Sequence, residues 1–239
     1  MNKSPFRRFL TAAALVAVAF GTRPFAAARS VSFRTDDGVT LSGIWYEPAT
    51  RPAPAVILVH MLHRTRADWE PLASRLAGAG IGVLAFDLRG HGESGGARPE
   101  DGHYEGFLPD VAAARRFVAS RADVVASRVA LCGASMGANL IVLDATAHPG
   151  PAGLILLSPS MDYRGLRIAA AVRKYPGPML MVAGEDDPYA SRSMREIVKA
   201  GGGVRETLLL PGAGHGTAML ARRPELIPAL VDWLRKTLI

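Results

Sequence analysis

The sequence predicts one α/β domain built on a mainly parallel sheet of eight strands with helices on both faces. Three observations lead to this fold class. Short apolar runs alternate with segments of helical periodicity, and such strand–helix alternation is typical of parallel sheets. Several runs are apolar at every position, as expected for strands that are covered on both faces. The chain has 239 residues, of which 49% are hydrophobic, and this suits one such domain.

The first 28 residues predict a secretory signal peptide, which leaves residues 29–239 as the folded domain. Lys3, Arg7 and Arg8 precede an uncharged apolar run over residues 9–20, and small residues follow up to Ala28. As a helix this run would span about 18 Å, less than the roughly 30 Å of a bilayer core. We therefore expect no stable membrane anchor and a periplasmic or secreted protein. The paired arginines resemble a twin-arginine signal only in part, so the export route stays open.

The charge and the residue types of the chain argue against several classes of protein. The formal net charge is +7, but residues 1–28 hold four basic residues and no acidic one, which leaves +3 for the domain. Because no Lys/Arg run is interleaved with aromatic residues, nucleic acid is not an expected partner. The single cysteine, Cys132, ends an apolar run and is interpreted as a core residue. The histidines and carboxylates lack metal-ligand spacing, and no phosphate loop is present, so we predict no metal and no cofactor.

The elements follow one another from a hairpin at the start of the domain. Two alternating segments, residues 31–35 and 40–47, are joined by Asp37-Gly38, a hairpin signal. The other predicted strands cover residues 55–59, 81–86, 128–132, 152–157, 178–183 and 204–210. The predicted helices cover residues 69–79, 107–121, 138–145, 166–174, 191–200 and 224–238, and Asp68 is interpreted as the cap of the first. Only about 20 residues separate the strands at 152–157 and 178–183, so no large cap domain is expected over the sheet.

The pentapeptide Gly133-Ala134-Ser135-Met136-Gly137 lies between a predicted strand and a predicted helix. That context is the one a G-x-S-x-G nucleophile elbow requires, in which a tight turn lifts the serine hydroxyl above the sheet edge. The flanking glycines remove side chains that would collide with the neighbouring strand and helix. The backbone N–H of Met136 is then free to face a developing oxyanion. By itself, the pentapeptide also fits a Gly/Ser turn that starts an ordinary helix.

Three polar residues fall at the carboxyl ends of predicted strands in the order Ser135, Asp187 and His215. The gaps of 52 and 28 residues leave room for the intervening strand–helix units. A serine hydroxyl is a poor nucleophile until a base removes its proton, and imidazole, with a pKa of about 6.5, suits that task. An aspartate on the other ring nitrogen fixes the tautomer and stabilises the imidazolium. The order nucleophile, acid, histidine favours a serine hydrolase.

On these residues the chain resembles the α/β-hydrolase-fold serine hydrolases, and within them the bacterial esterase and dienelactone-hydrolase-like branch. The resemblance spans residues 31–239 and rests on Val59-His60, Asp87-Leu-Arg-Gly-His-Gly-Glu-Ser94, Gly133–Gly137, Gly184-Glu-Asp-Asp187 and Gly212-Ala-Gly-His215-Gly216. It implies Ser135 as nucleophile, Asp187 as acid and His215 as base. It also implies backbone N–H groups of Leu62 and Met136 as the oxyanion hole, and a small-molecule ester as substrate. The sequence does not indicate which oligomeric state the protein has.

Two departures from the family pattern matter. The family has His-Gly where this chain has His60-Met61, and this puts the assignment of Leu62 in question by one residue. Dienelactone hydrolases use a cysteine nucleophile, so Ser135 favours ordinary ester hydrolysis.

Several alternatives stay open. Asp186 and Asp162 are rival acids. Acyl transfer to an acceptor other than water would use the same triad, and a non-catalytic binding protein would keep the fold. Arginines near the site would attract anionic substrates, or would be solvated surface charges. These are Arg64, Arg66, Arg164 and Arg167.

Overall fold

The computed structural model describes residues 27–239, and eight of its strands form one sheet in the order β1-β2-β4-β3-β5-β6-β9-β10. Those strands are β1 (Ala28–Arg34), β2 (Thr40–Tyr46), β3 (Ala53–Val59), β4 (Gly82–Phe86), β5 (Val124–Ala134), β6 (Leu154–Leu157), β9 (Met179–Gly184) and β10 (Arg205–Leu210). Two short strands, β7 (Asp162–Tyr163) and β8 (Leu166–Arg167), form a separate hairpin. The strands from β4 to β10 in this order are parallel to one another, while β1 and β2 are antiparallel to their neighbours. The predicted fold class is confirmed.

The helices cover both faces of the sheet. They are α1 (Glu70–Gly78), α2 (Leu108–Ala119), α3 (Met136–Ala147), α4 (Ala169–Lys174), α5 (Pro188–Ala200), α6 (Ala218–Arg222) and α7 (Leu226–Leu238), with 3₁₀ turns at Arg66–Trp69 and Tyr104–Phe107. One core cluster takes its helical residues from α2, α3, α4 and α5, and the other takes them from α1, α6 and α7. The sheet therefore separates two cores, which explains why its central strands are apolar at every position.

Strand β3 shows how the sequence produces this layering. All seven of its residues are buried, and alternate side chains enter opposite cores: Ile57 belongs to one cluster and Leu58 to the other. Burial of a Val, Leu or Ile side chain contributes roughly 1.5–3 kcal/mol relative to exposure. The order of the strands places β3 beside β5, so the loops that follow both strands meet at the same edge of the sheet.

The predicted hairpin at the start of the domain is confirmed, with Arg34 opposite Thr40 in β1 and β2. Gly38 has φ of +86°, a conformation that favours glycine, and this supports the Asp-Gly turn. The predicted signal peptide, residues 1–28, lies outside the described residues except for its last two, and Ala28 already begins β1. None of the helices within residues 27–239 combines the length and apolar character needed to span a bilayer.

Some predicted elements differ from those observed. Asp68 does not cap the first helix, because Arg66–Trp69 forms a 3₁₀ turn and α1 has no side-chain cap. Asp68 instead accepts hydrogen bonds from Arg64 and from Thr217 Oγ1, the latter at 2.7 Å. The helix predicted at 166–174 divides into strand β8 and helix α4. The connection between β6 and β9 therefore holds a hairpin and one six-residue helix, with no large cap.

Candidate active site

Ser135 stands on the sharp turn that the sequence predicts. It follows strand β5, immediately precedes α3, and has φ of +50° and ψ of −115°, a strained conformation for a residue with a side chain. A methyl group at Gly137 would lie 2.7 Å from the carbonyl oxygen of His60, and one at Gly133 would collide with the carbonyl of Gly137. Both positions therefore require glycine. The N–H of Ser135 donates to Leu157 O at 2.8 Å, which ties the turn to β6.

Asp187 and His215 form a hydrogen-bonded pair beyond the ends of β9 and β10. Asp187 is the N-cap of α5, where its Oδ1 accepts from the N–H of Ala190 at 3.2 Å. Its other oxygen, Oδ2, lies 2.6 Å from His215 Nδ1. The Asp187 side chain is 12% exposed and that of His215 is 50% exposed. The helix cap thus holds one oxygen of the Asp187 carboxylate, and the other oxygen contacts the imidazole of His215.

The two rival acids are engaged elsewhere. Asp186 accepts from the N–H of Gly214 at 3.0 Å (Oδ1) and 3.1 Å (Oδ2), and this backbone contact lowers the pKa of the Asp186 carboxyl. Asp162 accepts from the N–H of Gly165 at 2.7 Å and from the guanidinium of Arg167. Of the three aspartates, the structure brings only Asp187 to the imidazole of His215.

The loop that carries His215 runs beside the nucleophile turn. A Cβ built on Gly216 would lie 3.7 Å from the Cβ of Ala134 and 2.6 Å from Met61 Sδ. The residue after His215 therefore approaches both the residue before Ser135 and the loop after β3. These three loops converge at one edge of the sheet, where parallel strands end.

The loop after β3 is held by His60. This fully buried imidazole contacts Met61 O through Nδ1 at 2.8 Å and accepts from the N–H of Leu88 through Nε2 at 3.0 Å. Burial lowers the pKa of His60 to about 4, so the neutral ring with a proton on Nδ1 satisfies both contacts. Within residues 27–239, the N–H groups of Leu62 and Met136 donate to no other group. Both donors are available to a ligand.

The same loop is anchored by buried charge. Asp87 is fully buried and accepts from the N–H and the guanidinium of Arg66, and Arg66 also contacts Glu93 at 2.5 Å. Of the other arginines considered above, Arg64 contacts Asp68 at 2.7 Å, and Arg164 contacts the hydroxyl of Tyr104. Arg167 contacts Asp162, as described above. Each of these four arginines has a protein partner, so the structure gives no support to the alternative of a free cationic ring around the site.

Sequence reasoning missed Ser158, which is 1% exposed and lies directly after β6. Its Oγ accepts from the N–H of Gly216 at 2.9 Å, and its φ is +52°. A serine after a buried strand carries no signal in sequence, because neither the positive φ nor the partner 58 residues away leaves a pattern.

The arrangement can support nucleophilic chemistry. A proton on His215 Nδ1 directed at Asp187 leaves Nε2 as an acceptor, which is the tautomer a general base requires. No cluster of three or more His, Cys, Asp or Glu residues within 27–239 is arranged to hold a metal ion.

Comparison with known proteins identifies the family. The family model described as serine aminopeptidase S33 matches residues 50–177, more than half of the chain. The chain belongs to the S33 family of hydrolases. The matched segment contains Ser135, Leu62 and Met136 but ends before Asp187 and His215. The family match therefore covers the nucleophile and the two candidate oxyanion donors, and leaves the acid and the base outside it.

Relatives and solved structures are also similar to this chain. An uncharacterized protein of Mycobacterium tuberculosis (strain H37Rv) is 31% identical over 234 residues, which cover 89% of this chain and 81% of the relative. Human monoglyceride lipase is 32% identical over 124 residues, covering 52% of this chain and 40% of the lipase. The structure of a Pyrococcus furiosus esterase has a TM-score of 0.76 at 19% identity, covering 90% of this chain and 94% of the esterase. The α/β-hydrolase fold of this S33 member is thereby confirmed.

Proposed function

We propose that this protein is an exported serine hydrolase that cleaves carboxylic esters, with Ser135, Asp187 and His215 as its catalytic triad. The observation that carries the proposal is the 2.6 Å contact between Asp187 Oδ2 and His215 Nδ1, on a loop that packs beside the nucleophile turn. A carboxylate in that position keeps the second ring nitrogen free to take the serine proton.

In the proposed reaction, Ser135 Oγ attacks the ester carbonyl while His215 Nε2 removes its proton. The N–H groups of Leu62 and Met136 stabilise the oxyanion, and His215 then gives the proton to the departing alcohol as the carbon–oxygen bond breaks. Water, deprotonated by His215, releases the acyl group from Ser135 and restores the enzyme. Two observations support these steps: within residues 27–239 the N–H groups of Leu62 and Met136 donate to no other group, and the contact of His215 Nδ1 with Asp187 leaves Nε2 to act as the base.

The choice of esters rests on the short connection between β6 and β9 and on similar proteins. A hairpin and a six-residue helix are the whole connection between β6 and β9, which favours small esters or acyl chains that lie across the surface. Two similar proteins are an esterase and a monoglyceride lipase. Export is proposed from residues 1–28 alone, with their basic start and apolar run.

The test is to incubate the purified protein with a fluorophosphonate and to identify the labelled peptide by mass spectrometry. We expect one label, on Ser135, and none in the Ser135→Ala variant. p-Nitrophenyl acetate, butyrate and laurate would be compared with aminoacyl p-nitroanilides, and we expect turnover of the short esters. Folded wild-type protein that takes no label would support a binding protein. Product that appears only with an added alcohol acceptor would support an acyltransferase.

A further inference from the structure

The position of the His215 ring must depend on interactions other than side-chain packing, because half of its side chain is exposed. A solvent-exposed imidazole gains little orientation from its neighbours, so the backbone that carries it must be fixed. The two residues that flank it are both glycines with positive φ, Gly214 at +76° and Gly216 at +59°. Glycine lets this loop turn tightly, but it provides no side chain to hold the loop in place.

Two hydrogen bonds fix the backbone on either side of His215. On one side, the carboxylate of Asp186 accepts from the N–H of Gly214. On the other side, the hydroxyl of Ser158 accepts from the N–H of Gly216 at 2.9 Å, and this bond is buried. The buried bond is the more rigid of the two, because water cannot replace a partner there.

Ser158 is also tied to the nucleophile. Its N–H donates to Val182 O at 2.8 Å, and the preceding carbonyl, Leu157 O, accepts from the N–H of Ser135 at 2.8 Å. The carbonyl of Leu157, at the end of β6, therefore contacts the backbone of Ser135, and the side chain of Ser158 contacts the backbone of the loop that carries His215. A short, buried link joins Ser135 to His215 through β6.

The conformation of Ser158 indicates that its hydroxyl is required. Its φ of +52° is in the left-handed region, where glycine is the least strained residue. Glycine would fit the backbone better but would leave the buried N–H of Gly216 without an acceptor. The strain of a serine at this position is offset by that hydrogen bond.

We propose that Ser158 is a positioning residue, whose buried hydroxyl holds the His215 loop at the distance from Ser135 that proton transfer requires. This inference rests on the proposed function of the same site. Ser158 touches no substrate atom in this reaction and acts through the backbone of Gly216.

The test compares Ser158→Gly with Ser160→Ala. The first removes the hydroxyl but relieves the backbone strain. The second removes a buried hydroxyl of the same loop that has no hydrogen-bond partner. We expect Ser158→Gly to lower kcat for p-nitrophenyl butyrate on the order of tenfold, with KM unchanged, and to slow fluorophosphonate labelling of Ser135 by the same factor. Its melting temperature should not fall, and the amide of Gly216 should exchange hydrogen faster. Ser160→Ala should keep wild-type kinetics.

Wild-type kcat and labelling rate in folded Ser158→Gly would overturn the inference, as would an equal loss in Ser160→Ala. If Ser158→Gly does not fold, Ser158→Cys keeps the side-chain volume with a weaker acceptor, and unchanged kcat in that variant would overturn the inference too. A wild-type protein that takes no label refutes the proposed function and this inference together. A labelled wild type with an unaffected Ser158→Gly variant refutes the positioning role alone.

Discussion

Replacement of Asp187 by asparagine isolates the role of one carboxylate oxygen. Asp187 Oδ1 caps α5 through the N–H of Ala190, and Oδ2 contacts His215 Nδ1 at 2.6 Å. In Asp187→Asn, the amide oxygen can keep the cap, which places the NH₂ group against His215 Nδ1. The imidazole must then accept at Nδ1 and carry its proton on Nε2, so it cannot take the proton of Ser135.

The expected loss of kcat follows from the free energy needed to flip the asparagine amide into the other orientation. Turning the amide over restores an acceptor for Nδ1 but leaves the N–H of Ala190 facing a donor, at a cost of about 1–3 kcal/mol. Only about one molecule in five to one in 150 would then hold the productive tautomer. Loss of the negative charge beside the imidazolium adds to this, and we expect kcat to fall about a thousandfold to ten-thousandfold.

The assay is steady-state hydrolysis of p-nitrophenyl butyrate, with denaturant unfolding as a check on the fold. Asparagine caps helices as well as aspartate does, so the free energy of unfolding should change by less than about 0.5 kcal/mol. Asp186→Asn is the matched control, because its remaining oxygen can still accept from Gly214, and its kcat should stay within about fivefold of wild type. An Asp187→Asn enzyme that keeps a tenth of wild-type kcat would refute the reasoning, as would an equal loss in Asp186→Asn.

Three further predictions concern stability and are checked by denaturant unfolding. Gly137→Ala should lower the free energy of unfolding by more than about 2 kcal/mol, because the added methyl group would meet carbonyl oxygens at the end of β3. The control is Gly78→Ala, at the end of α1, where the added methyl group enters open space and should raise the free energy of unfolding by up to about 1 kcal/mol. Arg66→Met should cost about 3–5 kcal/mol, because it leaves the carboxylate of Asp87 buried without its cation; a loss below 1 kcal/mol would contradict this. The pKa of His60 is lowered from 6.5 to about 4, so the unfolded state binds the extra proton between these values, and stability falls as pH drops through this range. Protonation of His60 should lower the free energy of unfolding by about 3 kcal/mol between pH 7 and pH 4. In His60→Gln, the free energy of unfolding should change less over this pH range.

The sequence predicts the site where the signal is local or follows the order of the strands. Gly133 and Gly137 indicate the turn at Ser135, because a side chain at either position would collide with neighbouring backbone. Asp187 and His215 could be found because parallel strands end at one edge of the sheet, and residues after those ends must meet. Their hydrogen bond supports the choice of Asp187 over Asp186, which the family spacing of three residues past Gly184 also favours.

Other features depend on contacts between distant parts of the chain. Asp68 looks like a helix cap in sequence, and only the folded chain shows that Thr217 competes for its carboxylate. The two-residue strands β7 and β8 and the five-residue helix α6 are too short for periodicity to indicate them. Ser158 is harder still to predict, because its role depends on a backbone N–H that any residue at position 216 except proline would provide.

The short connection between β6 and β9 has a consequence for the timing of the proposed reaction. Enzymes with a mobile lid spend part of each turnover opening and closing it, and that motion often limits the rate. A six-residue helix and a two-stranded hairpin leave no such lid between these strands. No lid between β6 and β9 would then close over an acyl group on Ser135, and its partition between water and any other acceptor would depend on their concentrations rather than on a gate. Opening and closing of a lid at this connection should therefore not limit turnover.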